Sequence, residues 1–261
     1  MRVGFLGCGN MGGALATATA RCKGHRIYLC DLDSDKALAL KEKIGEDAEI
    51  CDIGALKECE ALFLGVKPNG AKEALISLGE GYPSLIISMV AGMDTKSIAE
   101  TARGARVIRI MPNTPASVGE GVILYSLGAN ATREDEQTLR ALLCETGELC
   151  ELDEALIDKA TAVSGCGPAF VFSFMEAMIE GGVSVGLSYE LSRRLAVQTV
   201  LGSASYLKQS DKTPAQLCEA VCSPGGSTIE GVKKLGEHNL KGAVVDAVNA
   251  SYEKTVKLGK S

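Results

Sequence analysis

Over the first 150 residues, short apolar runs alternate with amphipathic stretches. Runs at 2–6, 26–30, 61–66, 85–89, 107–111 and 122–125 have the length and residue types of strands. Between them, 12–21, 33–44, 53–58, 70–78 and 95–102 have helical composition, and 132–145 reads as a further helix opened by Thr132 and Asp135 in a variant capping box. Strands that alternate with helices predict a parallel sheet covered on both faces. Beyond Glu151 the pattern changes. Segments 154–163, 168–182, 189–208, 214–221, 228–235 and 240–258 all read as helices, parted by turns bearing Gly or Pro, with no strand signal between them.

The pattern therefore predicts an α/β chain of two domains: a doubly wound, Rossmann-type sheet over 1–150 and an all-helical domain over 151–261. Segment 169–185 is apolar almost all round, with Phe170, Val171, Phe172, Phe174, Met175, Met178 and Ile179. Such a helix must be buried. A helical domain of this size has little interior for it, so a subunit interface is the natural sink and a homodimer through the helical half is expected.

Composition narrows the function classes. The 261 residues carry a net charge of −6, and the doublets Arg193-Arg194 and Lys233-Lys234 stand apart, so no nucleic-acid partner is expected. No unbroken apolar run approaches a membrane span, and the apolar start is interrupted by Gly7, Gly9 and Asn10, so a cytoplasmic protein with neither membrane contact nor signal peptide is expected. Ten cysteines occur without a Cys-x-x-Cys pair, and the two histidines, His25 and His238, lie away from zinc-site spacings. Small buried thiols in a reducing compartment, and no metal, are the expectation. So few histidines also disfavour Ser-His-Asp or Cys-His hydrolysis.

Two segments carry chemistry. The first strand runs into Gly7-Cys8-Gly9-Asn10-Met11-Gly12 and then an Ala-rich helix. This is Gly-x-Gly-x-x-Gly in the strand–turn–helix context that dinucleotide binding requires. Gly7 permits the tight turn, Gly9 lets backbone reach a pyrophosphate, and Gly12 allows close packing. Asp31, at the end of the second strand, stands where an acid holds a ribose 2′-hydroxyl. Other strand ends, Val66-Lys67-Pro68, Ala91-Gly92 and 111–115, belong to the same crevice in an open α/β sheet. The second segment is Ser223-Pro224-Gly225-Gly226-Ser227-Thr228, a Gly-rich turn before a helix start, the arrangement that receives an anion.

Together with Arg109-Ile110-Met111-Pro112-Asn113-Thr114-Pro115 and Ser164-Gly165-Cys166-Gly167-Pro168-Ala169, these motifs resemble pyrroline-5-carboxylate reductase, the last enzyme of proline synthesis, over essentially the whole chain. The resemblance implies a Rossmann domain, a helical domain forming an interlocked dimer, and dimers that assemble further. It implies a small-molecule substrate, pyrroline-5-carboxylate, with proline as product, and NADP or NAD as cofactor. The amides of Gly226, Ser227 and Thr228 would grip the substrate carboxylate, the Thr228 hydroxyl would bond the ring nitrogen as the catalytic contact, and Glu154 would belong to the substrate region. The cofactor residues would be Gly7, Cys8, Gly9, Asn10, Met11, Asp31, Asp52, Val66, Lys67, Pro68, Ala91 and Gly92. Bland readings stand beside these: a helix-start hydroxyl at Thr228, a helix-start carboxylate at Glu154, and a solvated Lys67.

The residues agree with imine chemistry. Related ketone reductases commonly use a helical lysine as proton donor, and this chain has none between Lys159 and Lys208. An imine nitrogen is basic enough to arrive protonated, which leaves orientation as the main task. A β-hydroxyacid dehydrogenase-like ketone reductase is the enzyme alternative, disfavoured by the missing lysine. A non-catalytic dinucleotide sensor is the other, and the chain lacks the basic face that it would need. Two positions depart from the family pattern. Cys166 replaces the usual serine, and Asp31 puts an acid where the family's usual NADPH carries a phosphate. Asp33, Asp35 and Asp52 add to that negative charge and Lys36 opposes it, so the cofactor preference stays open between NADH and NADPH.

Overall fold

The computed structural model describes residues 1–79 and 85–258. Its eight strands are β1 (Arg2–Leu6), β2 (Arg26–Cys30), β3 (Ala48–Ile50), β4 (Ala61–Leu64), β5 (Leu85–Ser88), β6 (Arg106–Pro112), β7 (Gly121–Leu127) and β8 (Gly147–Glu151). They form one sheet in the order β3-β2-β1-β4-β5-β6-β7-β8. The order reverses between β1 and β4, which opens a crevice beyond their carboxyl ends. Helices α1 (Asn10–Arg21), α2 (Ser34–Ile44), α3 (Pro68–Leu78), α4 (Thr95–Thr101) and α5 (Arg133–Leu142) connect the strands. The Thr132–Asp135 capping box is formed in both directions.

Three expectations change. The sheet is mixed: β7 runs antiparallel to β6, because the connection through the 3-10 turn Thr114–Val118 is too short for a crossover helix. β3 and β8 lie outside the predicted strands; β3 is three residues long and β8 is half polar, so neither shows an apolar run. Segment 53–58 is a 3-10 turn at Ala55–Glu58 rather than a helix.

Alternate side chains along each strand supply two cores. Val3, Phe5, Phe63, Ile87, Ile108 and Tyr125 fill one face. Leu6, Leu62, Leu64, Ile86 and Val107 fill the other. Phe5 stacks on Phe63 with ring centroids 4.5 Å apart. A sheet buried on both faces needs such continuous apolar strands.

The described chain divides into two compact units, the described residues up to 166 with 251–258, and 167–250. The expected boundary near 150 falls earlier because α6 (Glu154–Ser164) packs on β6 and β7. In the second unit, α7 (Gly167–Ser184) packs on α8 (Tyr189–Lys208), with Gly182 against Ser192, so that a methyl at 182 would lie 2.9 Å from Ser192 Cβ. α9 (Pro214–Val221), α10 (Ser227–Glu237) and α11 (Leu240–Leu258) follow, with α11 belonging to the second unit only as far as Ala250. The apolar α7 has no buried residue in the single chain, and Phe172 is 60% exposed. Its uncovered face keeps open the need for a partner surface.

The stretch Glu154–Ser184 is long and apolar enough to cross a membrane by length and composition. Its apolar run is broken by Ser164, Gly165, Gly167 and Pro168 and by Glu176, so no unbroken apolar segment marks it in the sequence. The thiol expectation also changes. Cys22 and Cys144 form a disulfide, and Cys150 and Cys218 are exposed. Cys8 and Cys59 are buried free thiols as expected; burial and the Asp31 charge push Cys8 up to about 12. Among the described residues no group of three or more His, Cys, Asp or Glu side chains is arranged to hold a metal.

Candidate dinucleotide crevice and Gly-rich anion turn

The crevice begins where β1 ends. The Gly7 N–H donates to the Cys30 carbonyl at 2.8 Å, and the Gly65 N–H to the Leu6 carbonyl at 2.8 Å, so the ends of β2, β1 and β4 are stitched side by side. Gly7 has φ +103°, and a Cβ there would lie 2.6 Å from the Gly65 backbone. A Cβ on Gly12 would overlap the Gly7 carbonyl oxygen. Gly9 differs: a Cβ there would meet nothing within 4 Å. Open space at Gly9 beside two crowded glycines is the cradle that a pyrophosphate fills. Gly9 also caps α1 without a side-chain hydrogen bond, which leaves the first amides of Asn10 and Met11 for a ligand. The residues therefore fit a dinucleotide.

Asp31 is fastened to this loop. Its Oδ2 accepts the Cys8 N–H at 2.6 Å and its Oδ1 accepts the Asp33 N–H at 2.9 Å. Asp52 follows the strand paired to β2 and accepts the Ala55 N–H at 2.9 Å, capping the 3-10 turn. Val66 is half-buried, Lys67 is the exposed N-cap of α3, and Pro68 is its first residue. Ala91 and Gly92 are exposed in the turn after β5, where Gly92 has φ +74°.

The motif over 109–115 has a role that the sequence reading missed. Arg109, 4% exposed, points from β6 to α6, with Nη2 3.0 Å from Asp158 Oδ1 and Nη1 3.7 Å from Glu154 Oε1. Both Glu154 oxygens are occupied by Thr95: its N–H and its hydroxyl each donate at 2.8 Å. Asn113 donates to the Ser164 carbonyl at 2.9 Å and accepts the Val122 N–H at 2.9 Å. The two residues hold α6 at both ends. The available signal was a charged side chain in the middle of an apolar strand, which has to find a partner.

In the second unit, Gly225 has φ +68° and the Gly226 N–H closes a turn on the Ser223 carbonyl at 3.0 Å. Gly226 was expected to offer its amide to a carboxylate, and that amide is engaged within the chain. α10 starts at Ser227 with no side-chain cap, so Ser227 and Thr228 keep first-turn amides without intrahelical acceptors.

Comparison with known proteins agrees with this geometry. The family model described as pyrroline-5-carboxylate reductase dimerisation matches residues 154–258, and the one described as NADP oxidoreductase coenzyme F420-dependent matches residues 2–92. The chain is 37% identical to pyrroline-5-carboxylate reductase of Aquifex aeolicus over 99% of this chain and 97% of that one. It is 34% identical to the Arabidopsis thaliana enzyme of that name, over 100% and 96%. Among solved structures, Plasmodium falciparum pyrroline carboxylate reductase with NADP bound superposes with TM-score 0.87 at 32% identity, over 99% of this chain and 98% of that one. With motifs, cradle and full-length relatives in agreement, the chain belongs to the pyrroline-5-carboxylate reductase family.

Proposed function

We infer that this chain is an NAD(P)-dependent oxidoreductase that reduces the C=N bond of 1-pyrroline-5-carboxylate to L-proline. The observation that carries the reading is identity of 34–37% to reductases of that name over nearly the full length of both chains.

When bound, the reduced nicotinamide supplies the hydride. The chain's own residues bind and orient. Gly7, Gly9, Gly12 and the amides of Asn10 and Met11 would hold the pyrophosphate, with Cys8, Asp31 and Asp52 toward the adenosine end. Val66, Lys67, Pro68, Ala91 and Gly92 would line the remaining strand ends. The free first-turn amides of Ser227 and Thr228 would take the substrate carboxylate, with Gly226 shaping the turn. The Thr228 hydroxyl would hydrogen-bond the ring nitrogen. A basic imine nitrogen binds already protonated, so the protein needs only to hold the C=N carbon against the donor. Glu154, with both oxygens held by Thr95, would act by fixing α6 at the edge of the substrate region.

The same reading has the protein working in the cytoplasm as a homodimer through the helical domain, with dimers assembling further and no nucleic-acid or membrane partner. The exposed apolar α7 and the net charge of −6 support it.

The test is oxidation of reduced cofactor with pyrroline-5-carboxylate as substrate. Turnover that falls in Thr228→Ala while cofactor binding persists is expected. Unchanged kinetics in that variant would remove Thr228 from the site, and no turnover in the native protein would overturn the function.

A further inference from the structure

Two amides decide how Asp31 meets a cofactor. Oδ2 takes the Cys8 N–H at 2.6 Å, and Oδ1 takes the Asp33 N–H at 2.9 Å. The first comes from the phosphate loop itself, the second from the connection into α2. Swinging the carboxylate aside would leave both amides without their acceptor, so the charge stays where the adenosine ribose is read. Each oxygen keeps a lone pair that can accept a ribose hydroxyl.

The surroundings reinforce that charge. Asp33 and Asp35 flank the start of α2, and Lys36, the cation within the 31–36 connection, is drawn to Asp33 with Nζ 3.0 Å from Oδ2. Within residues 31–36, three acids against one lysine give a charge of −2, and Lys43, further along α2, lines the cavity beside Cys8 and Gly9 together with Lys36. No arginine stands in the 31–36 connection, whereas a 2′-phosphate needs an arginine or a set of hydroxyls there.

We propose that Asp31 is the specificity-determining residue of the cofactor site and makes this chain NADH-dependent, rejecting NADPH by repulsion of its 2′-phosphate. This rests on the dinucleotide reading of the Gly7–Gly12 loop, and it departs from the relative that carries NADP. The expected preference is on the order of 100-fold, the factor that two like unit charges about 6 Å apart produce at an effective dielectric of about 20.

Equilibrium binding tests it without turnover. The chain contains no tryptophan, so the fluorescence of the reduced nicotinamide can be followed directly as full-length protein is titrated. Native protein should bind NADH on the order of 100-fold more tightly than NADPH, with the gap narrowing at high salt as repulsion is screened. Asp31→Asn keeps an acceptor for the Cys8 N–H, and Asp31→Ser offers a smaller one. Either should bring the two affinities to within about threefold, mainly by tightening NADPH, once the repelling charge is gone. Native protein that prefers NADPH, or binds both equally, overturns the proposal while the dinucleotide reading stands. So does an unchanged preference in a folded Asp31 variant. Binding of neither nucleotide overturns both.

Discussion

Asn113 reaches across to Ser164: its Nδ2 donates to the Ser164 carbonyl at 2.9 Å while its Oδ1 accepts the Val122 N–H at the same distance. One buried amide thus joins the end of β6, the start of β7 and the last turn of α6. The Ser164 carbonyl is among the last four of its helix and has no intrahelical donor. Asn113→Ala leaves two groups unpaired, at a cost of about 1–3 kcal/mol for a buried orphan. Asn113→Asp serves the Val122 N–H but sets a carboxylate oxygen against a carbonyl. The expected order of thermal midpoints is native, then Ala, then Asp, and calorimetry on the three proteins reads it. An Asp variant as stable as the native protein would remove the Ser164 bond from the account.

Arg109 holds the other end of α6. It is buried between Asp158 and Glu154, whose side chains are 35% and 27% exposed. Removing one partner of a buried pair costs about 3–5 kcal/mol, and partial hydration of the acids reduces this to about 2–3 kcal/mol for Arg109→Met. Chemical denaturation should show that loss. Glu154→Gln, which retains acceptors and donors for Thr95, should lose less and leave the KM for the imine unchanged. A large KM rise in that variant would return Glu154 to direct substrate contact.

The fate of the 109–115 motif marks what a sequence can reveal here. Glycine positions were readable because their constraint is local: the turn at Gly7 and the crowding at Gly12 follow from a strand running straight into a helix. Strands buried on both faces were readable from their apolar runs. β3 and β8 were not, because they are held by pairing rather than by composition. Arg109 and Asn113 are specified by partners 49 and 51 residues away. Their motif is visible along the chain, and their function as clamps exists only once β6 lies beside α6. The Cys22–Cys144 bond was invisible for the same reason, being set by which chain ends the sheet brings together.

Stability should fall at both pH extremes through one cluster. The Tyr125 hydroxyl, helped by Arg133 and Arg140, holds the Glu136 carboxyl down to about 2. A depressed carboxyl contributes stability that is complete above the ordinary value of 4.5 and is lost as pH falls toward about 2. Burial, then the bond to Glu136, pushes Tyr125 up to about 12, so its contribution is complete below 10 and is lost as pH rises from 10 toward about 12. Glu136→Gln should flatten the acid limb of the midpoint-against-pH curve between about 4.5 and 2. An acid limb identical to that of the native protein would assign the loss to other carboxyls.

The Cys22–Cys144 disulfide ties the C-terminal end of α1 to the segment that follows α5, across a separation of 122 residues. In the chain-entropy account, closing a loop of this length restricts the unfolded chain by about 4–5 kcal/mol. Dithiol treatment should lower the thermal midpoint of the native protein and leave that of the Cys22→Ser, Cys144→Ser double variant unmoved. Equal midpoints before and after reduction in the native protein would count against the bond. Cys8, Cys51 and Cys59 should stay unlabelled by alkylating agents at neutral pH, because burial raises all three thiols to about 11–12.

Gly9 and Gly12 stand three residues apart in one motif and should fail in opposite ways. A methyl at Gly12 would overlap the Gly7 carbonyl oxygen, so Gly12→Ala must push α1 away from β1 and lower stability along with binding. A methyl at Gly9 would meet no protein atom within 4 Å, and the backbone there, at φ −67°, already suits any residue. Gly9→Ala should therefore lose only on the order of 1 kcal/mol of stability, the preference for Gly over Ala at an N-cap, and far less than Gly12→Ala loses. The same methyl would occupy the space through which a pyrophosphate reaches the first amides of α1, so dinucleotide affinity should fall at least about tenfold, as expected for the loss of one charge-assisted hydrogen bond. Paired measurements of midpoint and nucleotide affinity separate the two glycines. If Gly9→Ala binds nucleotide as tightly as the native protein, the open space beside Gly9 is not where the pyrophosphate lies, and the cradle has to be redrawn around the ends of β4 and β5.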